Sequence, residues 1–156
     1  MTYNTLQYLK TDTKARYQGY MYFFREGFCW TDVNSIYLKS RIKNNGVFDV
    51  LSMSLFTQVY IPDYYFVCMI NSKLLSLYVD NFINNTSHFQ INDARQLPII
   101  IPTEEGLNNF ENIFKQAIII KKKQYSNSIT LEKGNLLLSE IQGKLDELIK
   151  KLYNIV

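Results

Sequence analysis

The hydrophobic period of this chain changes at Pro102, and one repeating architecture cannot serve both sides of that proline. Of 12 Tyr and 10 Phe, only Phe110, Phe114, Tyr125 and Tyr153 lie beyond it. Aromatic side chains crowded into the earlier stretch suit pleated strands and broad contact surfaces better than a helical bundle. Behind the proline, Leu107, Phe110, Phe114, Ala117 and Ile118 recur at three and four residues. Thr103 precedes them as an N-cap, with Glu104 and Glu105 in the first turn, so the pattern predicts an amphipathic helix. Lys121, Lys122 and Lys123 fall at its far end, where positive charge complements the helix dipole, and residues 125–128 make a polar turn. Leu137, Ile141, Leu145, Leu148 and Leu152 then predict a second helix of about twenty residues, packed antiparallel on the first. Gly134 and Gly143 each weaken that helix by about 1 kcal/mol relative to Ala, so its stability has to come from packing. The expected organisation is an aromatic-rich α+β domain over residues 1–102 and a docking hairpin of helices over residues 103–156.

Within the first stretch, residues 19–24 and 47–51 read as strands, and residues 31–43 are ambiguous. Residues 63–83 carry Phe66, Ile70, Leu74, Leu77 and Tyr78 at helical spacing and predict two helices hinged at Asn71–Ser72. Residues 90–102 predict a short turn and then an apolar strand bracketed by Pro98 and Pro102. There is no internal repeat and no low-complexity segment.

With 156 residues, 47% hydrophobic and 20% charged, the chain has enough apolar side chain for a core and too little length for two catalytic domains. The net charge of +3 permits contact with a polyanion without demanding it. Cys29 and Cys68 sit in apolar runs and read as buried thiols in a reducing compartment; with one His they form no four-ligand zinc set. The N-terminus lacks a basic segment followed by an apolar one, and every apolar run is far shorter than the roughly 20 residues a bilayer requires. The expectation is a cytoplasmic protein without a membrane span, in which the overlapping sequons at Asn84 and Asn85 are accidents of an Asn-rich loop.

Reactive groups are scarce. No glycine-rich phosphate loop is present, and the three isolated prolines exclude the Asn/Asp-Pro-Pro-Tyr/Phe element with which amino-methyltransferases hold a target base. His88 is the sole imidazole, which argues against a nucleophilic triad. Asp12-Thr13-Lys14 has the acidic-x-Lys spacing of metal-dependent nucleases, a triplet that chance also supplies. The chain is expected to be non-catalytic.

Several segments, in order, resemble a known family. Residues 25–32 (Arg-Glu-Gly-Phe-Cys-Trp-Thr-Asp) are similar to the Gly-x-x-Trp-Ser/Thr element of the target-recognition region in adenine-specific methyltransferases of the type IIG restriction class and of BREX phage-defence systems. A Phe-Asp-Val piece (48–50) and Ser52, Ser54 and Phe56 follow, as there. Residues 65–74 resemble the Leu-Leu-Asn-Ser-Lys-Leu helix of these enzymes, residues 90–102 their Ile-x-Asp-Leu-x-x-Ile-Pro-Ile-Pro strand, and residues 141–153 their Ile-Asp-Glu-Leu-Val-Tyr-x-Leu-Tyr ending. The resemblance implies a TaqI-like specificity domain: a twisted, mixed sheet that reads DNA, with packed helices and a C-terminal hairpin for docking. The methyltransferase body normally joined to such a domain is not in these 156 residues. The implied protein is therefore a specificity piece or fragment of a restriction-modification or phage-defence methyltransferase. It holds no cofactor itself, and S-adenosylmethionine belongs to a partner catalytic domain.

Under that resemblance the implied partners are double-stranded DNA and a methyltransferase or restriction subunit, with homodimerisation through the last helices as a further expectation. Phosphate contacts come from Lys and Arg, and base reading from Arg, Asn, Gln or aromatic groups. Lys39, Arg41, Lys43 and Asn44 form the densest basic stretch, and Asn85, Ser87 and His88 a loop rich in donors and acceptors. Arg95 either contacts phosphate or pairs with Asp93. Each has a plainer reading, as solvated loop or ordinary connection; Trp30 is either a base-stacking platform or core, and Lys121–Lys123 either flanking-DNA contacts or a solvated helix end. Two other functions remain open: a protein-interaction module acting through the hairpin, and a small nuclease using Asp12 and Lys14.

Overall fold

The computed structural model describes residues 3–14, 19–34, 37–48 and 52–155. After a first helix, α1 (Tyr3–Thr11), the chain builds an antiparallel sheet with β1 (Gly27–Thr31) between β2 (Ser40–Lys43) and β3 (Ser52–Leu55). The class is α+β with a C-terminal helical region. The sheet is antiparallel throughout the described residues, not mixed. Connections as short as residues 32–39 and 44–51 suit antiparallel neighbours, because a parallel pair needs a crossover of a dozen or more residues.

Strand alternation sends Phe28 and Trp30 to the inner face, opposite Ile42 and Leu55 and opposite Ser40 and Met53, respectively. Cys29 and Thr31 face the other way, across from Arg41, Ser54 and Ser52. On the inner face lies α2 (Asp63–Ile70), followed at a sharp joint by α3 (Lys73–Tyr78), which runs into a wide π turn (Val79–Ile83). Ser72 makes the joint: its Oγ accepts the Leu75 amide at 3.2 Å as an N-cap. A one-turn helix, α4 (Ile91–Ala94), precedes the long antiparallel pair α5 (Glu104–Tyr125) and α6 (Leu131–Leu152), capped by Thr103 and Thr130.

Helix α2 stands between two cores. Val67 and Ile70 join Phe28, Trp30, Val79 and Phe89 beneath the sheet. Tyr65, Cys68 and Met69 join Leu75, Phe110, Leu145 and Ile149 against the hairpin. The change at Pro102 is therefore a change of hydrophobic period around a continuous packed interior, since α2 supplies side chains to both cores. Cys29 and Cys68 are buried free thiols, as expected. Among the described residues, no helix is long and apolar enough to cross a membrane.

Asn71 is more than a cap. Its Oδ1 accepts the Ser40 amide at 2.7 Å and its Nδ2 donates to the Ser40 carbonyl at 2.9 Å. The side-chain amide thus imitates a neighbouring strand at the outer edge of β2 and ties the sheet to the end of α2.

Three local expectations differ from the structure. Residues 19–24 form a turn, not a strand: Gly19 has φ 74°, Tyr20–Tyr22 make a 3-10 turn and Phe24 has φ 64°. The turn lets Tyr22 stack on Phe56 and Phe23 meet Phe48 edge-on, which an alternating strand would not allow. In the expected strand at 47–51, Val47 and Phe48 are outside any strand, and residues 49–51 lie outside the described residues. Residues 97–101 lie outside any strand, and Ile99 N–H donates to the Leu97 carbonyl at 2.9 Å in a tight turn about Pro98. Their prolines remove ladder donors, and the Tyr153 and Tyr65 hydroxyls donate to the Pro98 and Ile100 carbonyls instead. In addition, Leu77 is exposed while Leu75 and Val79 are buried, because the Asn71–Ser72 joint changes which face of the chain meets the core.

The two glycines of α6 have opposite roles. A Cβ on Gly134 would stand 2.3 Å from Gln124 Nε2, which donates to the Leu131 carbonyl and to Asn135 Oδ1, each at 3.1 Å. Gly143 has nothing within 4 Å of that position. Gly143→Ala is expected to raise stability by about 1 kcal/mol, and Gly134→Ala to lose that gain or reverse it, as measured by urea unfolding. A second expectation follows from Cys68, whose thiol burial pushes up from 9.0 to about 12. Above pH 9 the unfolded chain releases a proton that the folded chain keeps. This stabilising contribution is therefore complete below pH 9 and falls as pH rises, by about 1.4 kcal/mol per pH unit. Cys68→Ala should show a shallower alkaline decline between about pH 9 and pH 10 than the parent chain.

Candidate functional site

The antiparallel register sorts the basic stretch into two ends. Ser40 pairs with Trp30 and Lys43 with Gly27, so Lys39 stands at the Thr31 end of the sheet and Asn44 at the opposite end. Lys39 and Arg41 are exposed on the outer face, where alternation along a strand puts every second residue. Arg41 reaches across that face, its guanidinium donating at 3.5 Å to Thr31 Oγ1 and to Ser52 Oγ. Those long contacts orient the group and leave most of its donors available.

Lys43 leaves the candidate set. It is buried, its Nζ donates to the Arg25 carbonyl at 3.0 Å, and it lies over the rings of Phe48 and Phe56 at 5.6 and 5.2 Å. Burial lowers the pKa of this ammonium from its ordinary value. It is a packed element of the aromatic turn and offers no free charge to a phosphate. Trp30 is likewise interior: it is fully buried, and its Nε1 donates to the Phe89 carbonyl at 2.8 Å, so it offers no stacking face.

The polar loop at 84–88 is pinned against the end of β1. Val33 and His88 form an antiparallel bridge, Asn34 N–H donates to the Ser87 carbonyl at 2.7 Å, and Phe89 N–H donates to the Asp32 carbonyl at 2.8 Å. Asn84 holds the loop's own shape, donating to the His88 carbonyl and to Asp93 while accepting the Thr86 amide. The Asn85 and Ser87 side chains make no hydrogen bond among the described residues and stand exposed. A cavity of about 200 Å³ separates the loop from Tyr37 and Leu38, which lead into β2.

His88 Nδ1 lies 2.7 Å from Asp32 Oδ2. Asp32 is almost wholly buried, whereas the imidazole is half exposed. The carboxylate therefore orients the ring and leaves its Nε2 as the polar atom available to a ligand. Thr31, which holds Arg41, and Asp32, which holds His88, are consecutive, so the end of β1 gathers Lys39, Arg41, Asn85, Ser87 and His88 into one region. Asp32 carried no signal in the sequence; its role arises from a contact 56 residues away.

Arg95 follows α4, with its guanidinium donating to Asn92 Oδ1 at 3.2 Å. It does not pair with Asp93, whose carboxylate accepts from Asn84 and from the Gln90 amide in a capping box. Asp12 Oδ1 accepts the Lys14 amide at 2.9 Å, an Asx turn that closes α1. Among the described residues no group of three His, Cys, Asp or Glu could hold a metal ion.

One arm of Asp32, Oδ1, is buried without a hydrogen-bond partner among the described residues, where the His88 contact is the one that orders the carboxylate. His88→Ala should lower stability by about 1–3 kcal/mol in urea unfolding, and adding Asp32→Ala should cost less than the sum of the single substitutions.

Compared with known proteins, the chain matches no protein-family model, and no curated protein is similar enough to count as a relative.

Proposed function

We propose that this chain is a non-catalytic DNA-recognition unit, acting in the cytoplasm with a separate adenine methyltransferase or restriction subunit. That partner supplies S-adenosylmethionine and extrudes the target base. The observation supporting this reading is the gathering of Lys39 and Arg41, two cations in no ion pair among the described residues, with the exposed donors and acceptors of Asn85, Ser87 and His88 at one end of the sheet. Cations on a phosphate backbone fix register, and neighbouring amide, hydroxyl and imidazole groups suit base edges. The outer face beside Arg41 carries the short side chains of Thr31 and Ser52, which permit close approach of a duplex.

Fluorescence anisotropy with a labelled random-sequence duplex tests this reading. Affinity is expected to fall with salt, at a log–log slope of about −0.9 for each phosphate contact. Lys39→Ala and Arg41→Ala should each reduce that slope by about one contact, whereas Lys43→Ala should lower stability and leave the slope unchanged. Undetectable or salt-insensitive binding overturns the reading.

A further inference from the structure

A groove of about 590 Å³ runs between β2 and the long helical hairpin. Its floor is apolar, formed by Ile113 and Ala117 of α5, Leu138 and Ile141 of α6, and Val67 of α2. Lys39, Arg41, Lys73 and Lys121 line it against a single carboxylate, Asp146. That carboxylate is already engaged, accepting the Lys73 amide at 2.9 Å and Gln142 Nε2 at 3.2 Å. Among the described residues none of the four cations is in an ion pair; the pairs lie elsewhere, at His88–Asp32, Lys115–Glu111 and Lys150–Glu147. The charge imbalance at this one groove is as large as the net charge of the whole chain, +3.

Unneutralised cations around an apolar floor favour an occupant that is both anionic and apolar. The backbone narrows the form of that occupant. Asn71 already fills the outer edge of β2 at Ser40, so an incoming strand cannot pair there. A segment that satisfies its own main-chain bonds and enters through its side chains is a helix.

We propose that this groove receives an acidic amphipathic helix of a partner protein, its apolar side chains laid over Ala117 and Leu138 and its carboxylates facing Lys73 and Lys121. Lys39 and Arg41 line both this groove and the outer face, so the test below turns on Lys73 and Lys121, which come from the helices.

The test uses the full chain and two fluorescein-labelled helical peptides with leucines at i, i+3, i+4 and i+7, one with glutamates and one with lysines at the remaining positions. The glutamate peptide should bind at least about tenfold more tightly than the lysine peptide. Lys73→Glu with Lys121→Glu, both at exposed sites, should reverse that preference, and Ala117→Trp, which fills the groove, should weaken the glutamate peptide about tenfold. Equal binding of the two peptides, or an unchanged preference in the Lys73→Glu/Lys121→Glu chain, overturns the proposal. So does a duplex oligonucleotide that displaces the peptide and itself loses binding on Ala117→Trp, which would assign the groove to nucleic acid.

Discussion

Helix α2 is apolar around nearly its whole circumference, and each side is matched to a different surface. Val67 and Ile70 meet the aromatic underside of the sheet, while Tyr65, Cys68 and Met69 meet the hairpin. A helix of eight residues has little stability of its own, so it exists because both surfaces close on it. The sheet is equally dependent: three short strands need a covered face to persist. Phe28 stacks on Phe66 with ring centroids 5.4 Å apart and nearly parallel planes, so the cover is an aromatic contact as well as an aliphatic one. Asn71, at the end of the same helix, then fixes where β2 lies against it. Position of the outer-face cations is thus set from within, by packing on the opposite side of the sheet.

The same architecture separates two kinds of surface. On the outer face, cations and small polar side chains are displayed by strand alternation and by a loop clipped to the end of β1. Around the edge of β2, the chain offers apolar floor and lysines from helices. Arg41 belongs to the strand that divides the two, and Lys39 immediately precedes it. On the reading proposed above, a duplex and a protein helix would be held on either side of one edge strand, linking a polyanion to another protein.

Much of the helical half was legible in the sequence because helices announce themselves locally. Thr103 caps α5, the three-and-four spacing of Leu107, Phe110 and Phe114 marks its inner side, and Ser72 caps α3 as its position suggested. The sheet was less legible. Residues 19–24 have strand composition and no strand neighbour, whereas β2 hides among Lys, Ser, Arg and Asn, whose charges read as a solvated loop. Pairing across the chain decides such cases, and a propensity cannot see it. For the site, the basic stretch was visible, but the difference between Lys39 and Lys43 was not: it rests on which end of a strand meets the aromatic turn. Asp32 and the orientation of His88 depend on a bridge between distant segments, which no local pattern records.

The tryptophan at the centre of the sheet has a consequence for how this molecule can be observed. It is the only indole in the chain, enclosed by Phe28 and Phe89 and held by one hydrogen bond to the Phe89 carbonyl. Its emission therefore reports on the integrity of the interior, and specifically on whether the segment carrying His88 remains joined to β1. Any visitor to the outer face that leaves this joint undisturbed would be optically silent at that wavelength, while one that lifts the loop would announce itself by a red shift.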